Sequence, residues 1–252
     1  MNELILTKLK EIEQKEQVRI LHAVESGSRA WGFASPDSDY DVRFVYVRRP
    51  EDYLRLEKTS DVIEWQLDDT LDINGWDLQK LLRLLHKSNP TVFEWNASPV
   101  VYYTTPEWTS LQPVIRSCFL QKHGLYHYLN MAQRNYREYL RGDVVRLKKY
   151  FYVLRPLLAC CWILETSTPP PMAFETLMNA CLPEALVPYV RRLLDLKMNA
   201  PEMADGPRVD ALNTFIETTL SDMPDKIACL PSEDPADWNA LNQAFYDILN
   251  AN

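Results

Sequence analysis

The sequence predicts an α+β protein in two parts: a small mixed β-sheet domain with flanking helices over residues 1–105, then an all-helical domain over 106–252. Three observations predict it. Short runs of β-branched and aromatic residues recur over the first 90 or so residues, interleaved with segments of helical period. From about residue 107 onward the apolar residues repeat almost only at helical spacing. A chain of 252 residues is also long enough to bury one or two cores without staples.

Each element has its own signal. Residues 3–15 read as an amphipathic helix with Leu4, Leu6, Leu9 and Ile12 as its apolar positions. Residues 18–24 form an apolar run that suits a buried strand, and Ser26-Gly27-Ser28-Arg29 breaks it. Residues 29–38 read as a short helical turn and a loop, and 41–47 (DVRFVYV) as a second strand. Further strands are predicted at about 61–67 and 70–73, then a helix over 77–87 with Leu78, Leu81, Leu82 and Leu85 on one face. Long helices are expected over 122–141 and 144–165, although Pro156 interrupts the second. After a proline-rich break at 168–171, shorter helices are expected near 173–180, 184–197, 208–221 and 235–250.

Composition narrows the function. Lys plus Arg is 27 and Asp plus Glu is 35, a net charge of −8. That disfavours a protein held to nucleic acid by bulk charge, while leaving room for a local basic groove such as one built on Arg134, Arg137 and Arg141. Such a stripe is more often a solvated face. The five cysteines are odd in number and form no CxxC, so neither a disulfide framework nor a zinc ribbon is expected, and a reducing cytoplasm fits. His123 and His127 stand at i, i+4 without the glutamate of an HExxH site, so zinc is not expected there. The charged N-terminus lacks a secretory apolar stretch, and no window approaches ~18 uninterrupted apolar residues, so no membrane span is expected. Trp76, Trp95 and Trp108 read as core, and Cys160 and Cys161 as buried thiols.

The sharpest feature is Gly27-Ser28, a spacer, and then Asp39-Tyr40-Asp41 leading into a strand. In extended chain, residues i and i+2 point the same way, so Asp39 and Asp41 aim two carboxylates at one spot. Bare carboxylates side by side repel, and a divalent cation with hard oxygen ligands, Mg²⁺ or Mn²⁺, removes the conflict. Gly27 permits close backbone approach, and Ser28 adds a hydroxyl where amides open a short helix, as a phosphate requires. A phosphate cradle beside a metal-holding acid pair is what phosphoryl or nucleotidyl transfer demands. Asp72, at the end of the predicted fourth strand, is the candidate third acid, with Asp68 and Asp69 as rivals in a turn. Lys148, Tyr152 and Arg155 lie at i, i+4 and i+7 on one helical face and suit a triphosphate and a stacked base, or else a snorkelling cation and a core tyrosine. Arg29 and Arg43 are further candidates for phosphate contact, Arg43 equally for pairing with a neighbouring acid.

The stretch ESGSRAWGFASPDSDYDVRFVYV resembles the signature of the DNA polymerase β-like nucleotidyltransferase superfamily. It is especially similar to the YcgL-type predicted nucleotidyltransferases, a branch associated in part with RNA repair. The similarity extends through LDINGWDLQKLLRLLHKSNPTVFEWNASPVVY and KKYFYVLRPLLACCWI. The resemblance implies that Gly27 and Ser28 bind the triphosphate, that Asp39 and Asp41 bind the metals, and that Asp72 is the third acid. It also implies a small mixed sheet flanked by helices and followed by a variable helical domain.

The expected activity is therefore Mg²⁺-dependent transfer of a nucleoside monophosphate from an NTP to an acceptor hydroxyl, with release of pyrophosphate. The resemblance implies an RNA 3′ end such as that of tRNA as the first acceptor, then a protein hydroxyl, then a small molecule such as an antibiotic. A metal-dependent phosphohydrolase using the same acids is a rival within enzymes. A non-catalytic nucleotide- or RNA-binding module is the alternative of another class.

Overall fold

The computed structural model describes residues 1–66, 70–199 and 205–251. The chain divides into two compact units, one of Met1–Ala30, Asp39–Phe119 and Pro235–Asn252, the other of Trp31–Ser38 and Leu120–Asp234.

The first unit is built on a five-stranded mixed sheet. Its strands are β1 (Arg19–Glu25), β2 (Tyr40–Val47), β3 (Val62–Gln66), β4 (Leu71–Asp77) and β5 (Val101–Thr104), in the order β3-β4-β2-β1-β5. β2 and β4 run parallel and the other neighbours antiparallel. β1 is buried from Ile20 to Glu25, because helices cover both faces and a strand buried on both faces reads as a continuous apolar run. On one face the Asn2–Glu16 helix packs Ile5, Leu9 and Ile12 against Ile20, Val42, Phe44, Tyr46 and Ile73. Leu4 and Leu6, expected on that face, are exposed; Ile5 takes the position one turn before Leu9. On the other face the Leu78–His86 helix buries Leu78, Leu81, Leu82 and Leu85 against Leu21, Val24, Val45 and Val47.

β4 is longer than the predicted 70–73. Its alternation LDINGWD buries every second residue, and the Asn-Gly pair inside it, a common turn signal, is plain strand. Gly75 is required there by crowding, since a Cβ would strike the Phe44 ring. The helix that follows begins at Leu78, capped by Asp77, whose carboxylate accepts from the Gln79 amide at 2.7 Å. β5 and the Pro90–Asn96 helix fall where no element was expected. The predicted third strand's last residue, 67, and the rival acids Asp68 and Asp69 lie outside the described residues.

The Trp238–Asn250 helix belongs to the first unit rather than to the helical region in which the sequence pattern placed it. Its Leu241 and Ile248 pack with the Leu78–His86 helix. A local apolar period shows that a helix has a face to bury, not which core receives it.

The second unit is mainly helical, with helices Gln121–Tyr139, Lys149–Thr166, Phe174–Cys181, Val187–Asn199 and Asp210–Ala228. The second of these starts later than predicted, because residues 144–146 pair as a strand with Asp205–Pro207. It runs through Pro156 unbroken, and its core residues Tyr150, Phe151, Leu154, Leu157 and Leu158 are fully buried. Phe33, from the Trp31–Ser38 segment, sits in this core with its ring 4.9 Å from Phe151 and 5.5 Å from Phe174. All five cysteines are free thiols. Among the described residues no helix is long and apolar enough to cross a membrane.

Candidate active site

The site lies where β1 ends and β2 begins. After Glu25 the chain turns, with the Ser26 amide donating to the Asp41 carbonyl at 2.8 Å. Gly27 then takes φ +58°, a conformation that L side chains rarely adopt. A Cβ at residue 27 would also run into Asp41 Oδ2, so the bare Gly27 backbone and the Asp41 carboxylate touch.

Asp41 on β2 stands directly beside Asp72 on β4 in the parallel register. Arg43, two residues along the same strand face, joins them: its Nη2 donates to Asp41 Oδ1 at 2.9 Å and to Asp72 Oδ2 at 2.7 Å. Its Nη1 donates to the Val42 carbonyl at 3.0 Å and the Asp72 carbonyl at 3.3 Å. Burial pushes the Asp41 carboxyl pKa up; the like charges of Asp72 and Asp39 push the same way, and the Arg43 guanidinium opposes them. Asp39 is therefore within electrostatic reach of Asp41. Its own carbonyl accepts from Arg29 Nε at 3.1 Å, while the Arg29 guanidinium lies 3.7 Å from the centre of the Tyr40 ring.

Behind the acids is a residue that the sequence reading passed over. Glu25 is 1% exposed. Its Oε1 accepts from the Asp41 amide at 2.9 Å and its Oε2 from the Tyr102 hydroxyl. Burial raises its pKa, and the Tyr102 and Asp41 hydrogen bonds pull it back. Glu25 thus fixes the backbone that carries Asp41. A charged residue closing an otherwise apolar buried strand was the signal for it.

Lys148, Tyr152 and Arg155 are in the second unit. Lys148 is exposed at the start of the Lys149–Thr166 helix. Tyr152 meets Trp31 edge-on at 5.9 Å, and the buried Arg155 guanidinium stacks 4.7 Å from the Trp31 ring. Neighbours unforeseen in the sequence join them. Lys149 Nζ lies 4.1 Å from the Tyr139 ring and 4.6 Å from that of Tyr152. Burial, and then the charge of Lys148, lower the pKa of both Lys149 and Lys197.

The model of the RNA repair pathway DNA polymerase beta family (RlaP) matches residues 1–247. The chain belongs to this family. It is 46% identical over 253 residues, 99% of this chain and 96% of the relative, to "Uncharacterized protein YcgL" of Bacillus subtilis (strain 168). A solved nucleotidyltransferase-like protein from Exiguobacterium sibiricum 255-15 aligns over 100% of this chain and 80% of that one, at 13% identity. The TM-score of that overlay is 0.31. Family and fold together make this a polymerase β-like nucleotidyltransferase chain.

The Asp41 and Asp72 carboxylates have the donor chemistry of a divalent-cation site. Mg²⁺ takes one or two protein carboxylates and fills its other positions with water and substrate phosphate oxygens. Asp41 and Asp72 supply hard oxygens side by side, with burial, and behind it the charges of Asp72 and Asp39, raising the Asp41 pKa against the pull of Arg43. Among the described residues no three His, Cys, Asp or Glu side chains are grouped so as to hold a metal ion, so the expected triad is not gathered: Asp41 and Asp72 stand together and Asp39 is exposed beside them. A cation held by two carboxylates would need its remaining oxygens from water or a ligand.

Proposed function

We propose that this chain is a Mg²⁺-dependent (or Mn²⁺-dependent) nucleotidyltransferase that moves a nucleoside monophosphate from an NTP to the 3′ hydroxyl of an RNA, with tRNA as the first candidate, and releases pyrophosphate. The observation that carries this reading is the register pairing of Asp41 with Asp72 against the bare backbone of Gly27, with Asp39 in reach. Family membership supports the transfer class, and its RNA-repair association supports the acceptor.

Asp39, Asp41 and Asp72 would hold the metal. When bound, the metal neutralises the triphosphate and stabilises charge at the phosphorus under attack. The remaining work falls to the chain itself. Gly27 keeps the space in front of Asp41 open, and Ser28 offers a hydroxyl to the triphosphate. Arg29, clamped between Tyr40 and the Asp39 carbonyl, holds positive charge at the mouth of the acids. Glu25 sets the height of the Asp41 backbone. In the second unit we assign Lys148 and Tyr152, with Lys149, to nucleotide contact; Arg155, the third candidate there, is buried against the Trp31 ring.

The test is incubation with each α-labelled NTP and total cellular RNA and protein. Label in RNA, with pyrophosphate released and both lost in an Asp39→Asn/Asp41→Asn double variant, supports the reading. Label in protein would move the acceptor to a protein hydroxyl. Undiminished transfer by the double variant would overturn the assignment of the acids.

A further inference from the structure

Of the two roles expected for Arg43, phosphate contact or pairing with an acid, the structure shows the second: it occupies the gap between the two acids. We propose that Arg43 is the resident counter-ion of this site, holding Asp41 and Asp72 in the metal-free protein, and that a divalent cation loads only by displacing it from at least one of the two carboxylates. This inference rests on the reading of those acids as metal ligands.

Three features of the geometry lead there. One nitrogen, Nη2, donates to both carboxylates, at 2.9 Å and 2.7 Å, so the oxygens that face each other across the gap are already engaged. A metal that needs those oxygens at about 2.1 Å has no room while the guanidinium stays. Second, the other nitrogen, Nη1, is tied to the Val42 and Asp72 carbonyls. The guanidinium therefore keeps backbone acceptors when a carboxylate leaves it, and displacement does not strand a buried cation. Third, exposure is graded. The Arg43 side chain is 18% exposed, Asp41 31% and Asp72 46%. Asp72 is the partner with freedom to swing, and Asp41, with its amide on Glu25, stays in place.

The consequence is coupling. Asp41 and Asp72 carry two negative charges, and Arg43 returns one positive charge, so a bare cation meets a half-neutralised site. An arriving triphosphate adds negative charge and oxygen ligands that a guanidinium cannot satisfy alone. Metal uptake without nucleotide should be weak, and nucleotide should strengthen it.

The experiment measures Mn²⁺ binding, by the electron paramagnetic resonance of free Mn²⁺, in the wild-type protein and in Arg43→Met and Arg43→Lys, with and without a non-hydrolysable NTP analogue. Melting in EDTA is recorded alongside. Arg43→Met should bind Mn²⁺ roughly tenfold more tightly than wild type without nucleotide and melt at lower temperature in EDTA. Arg43→Lys, which keeps the charge and loses the fork, should fall between the two. If Arg43→Met does not fold, Arg43→Lys alone decides, and affinity a few-fold above wild type is expected. Equal or weaker Mn²⁺ binding by the variants, with wild type binding, sinks the counter-ion and leaves the acids as ligands. If wild type takes up no Mn²⁺ even with the analogue, the reading of the acids fails, and this inference fails with it.

Discussion

The β2–β4 ladder carries an aspartate at each end of β4, and the two have opposite lives. Asp77 lies opposite Tyr46, 4% exposed, with the Gln79 amide donating to one oxygen at 2.7 Å and the Tyr53 hydroxyl to the other at 3.0 Å. Asp72 lies opposite Asp41, half exposed, and the two share one guanidinium. Burial raises the pKa of both Asp41 and Asp77, but the neighbours differ. At Asp77 the Gln79 and Tyr53 hydrogen bonds hold the charged form; at Asp41 the Arg43 guanidinium does so while two further aspartates press against it. An acid whose acceptors are filled by neutral donors of its own fold is architecture. An acid crowded by other acids and open to solvent has its chemistry still to do.

Substitution at each end should break this comparison differently. The largest effect is expected at Asp41→Asn: nucleotidyl transfer falls at least ~100-fold, since even residues behind metal ligands commonly cost 10–100-fold. Its melting temperature should stay level or rise, because one of the repelling charges is gone. Asp77→Ala should show the reverse pattern, losing about 2–3 kcal/mol in denaturant melts through the missing cap and the stranded Tyr53 hydroxyl. Its transfer rate per folded molecule should be retained. Gly27→Ala combines both readouts at lower amplitude. The left-handed φ alone costs about 1 kcal/mol, and the methyl group must push the Asp41 carboxylate aside, so transfer and stability should fall together.

The smallest expected effect sharpens the contrast by pH. The Asp77 pKa is raised in the folded protein, so between the ordinary carboxylate value of about 4 and the raised one the native state keeps a proton that the unfolded state releases. Stability therefore falls as pH rises through that window, and the loss is complete above it. Asp77→Asn, which keeps the cap and cannot ionise, should flatten the stability curve in that range. An unchanged slope would show that other carboxylates carry it.

Much of this arrangement is legible in the sequence because buried strands and amphipathic helices leave periodic marks. The 18–24 and 41–47 runs became β1 and β2 nearly residue for residue, and two members of the Gly27-Ser28 to Asp39-Tyr40-Asp41 pattern, Gly27 and Asp41, meet in the structure. The expected two-part α+β class holds, while the last helix changes allegiance for want of any local sign of its partner. β4 runs past the expected 70–73 because the ladder and the Phe44 ring overrule Asn74-Gly75, a turn signal in isolation. β5 went unread because four residues at a sheet edge, mostly exposed, leave no apolar period. Glu25, Trp31 and Lys197 were missed for a different reason. Their roles come from partners remote in the chain, such as Tyr102 for Glu25 and the Phe33 ring 5.4 Å from Lys197 Nζ.

The central claim is that the aspartates at 41 and 72, with Asp39, form a cation site facing Gly27. Anomalous scattering from crystals grown with Mn²⁺ and a non-hydrolysable NTP analogue tests it most directly. The account predicts a manganese peak bound by carboxylate oxygens of Asp41 and at least one of Asp39 and Asp72, with the triphosphate against residues 27–28. Nucleotide bound elsewhere, or manganese absent from these carboxylates while nucleotide is in place, would contradict it.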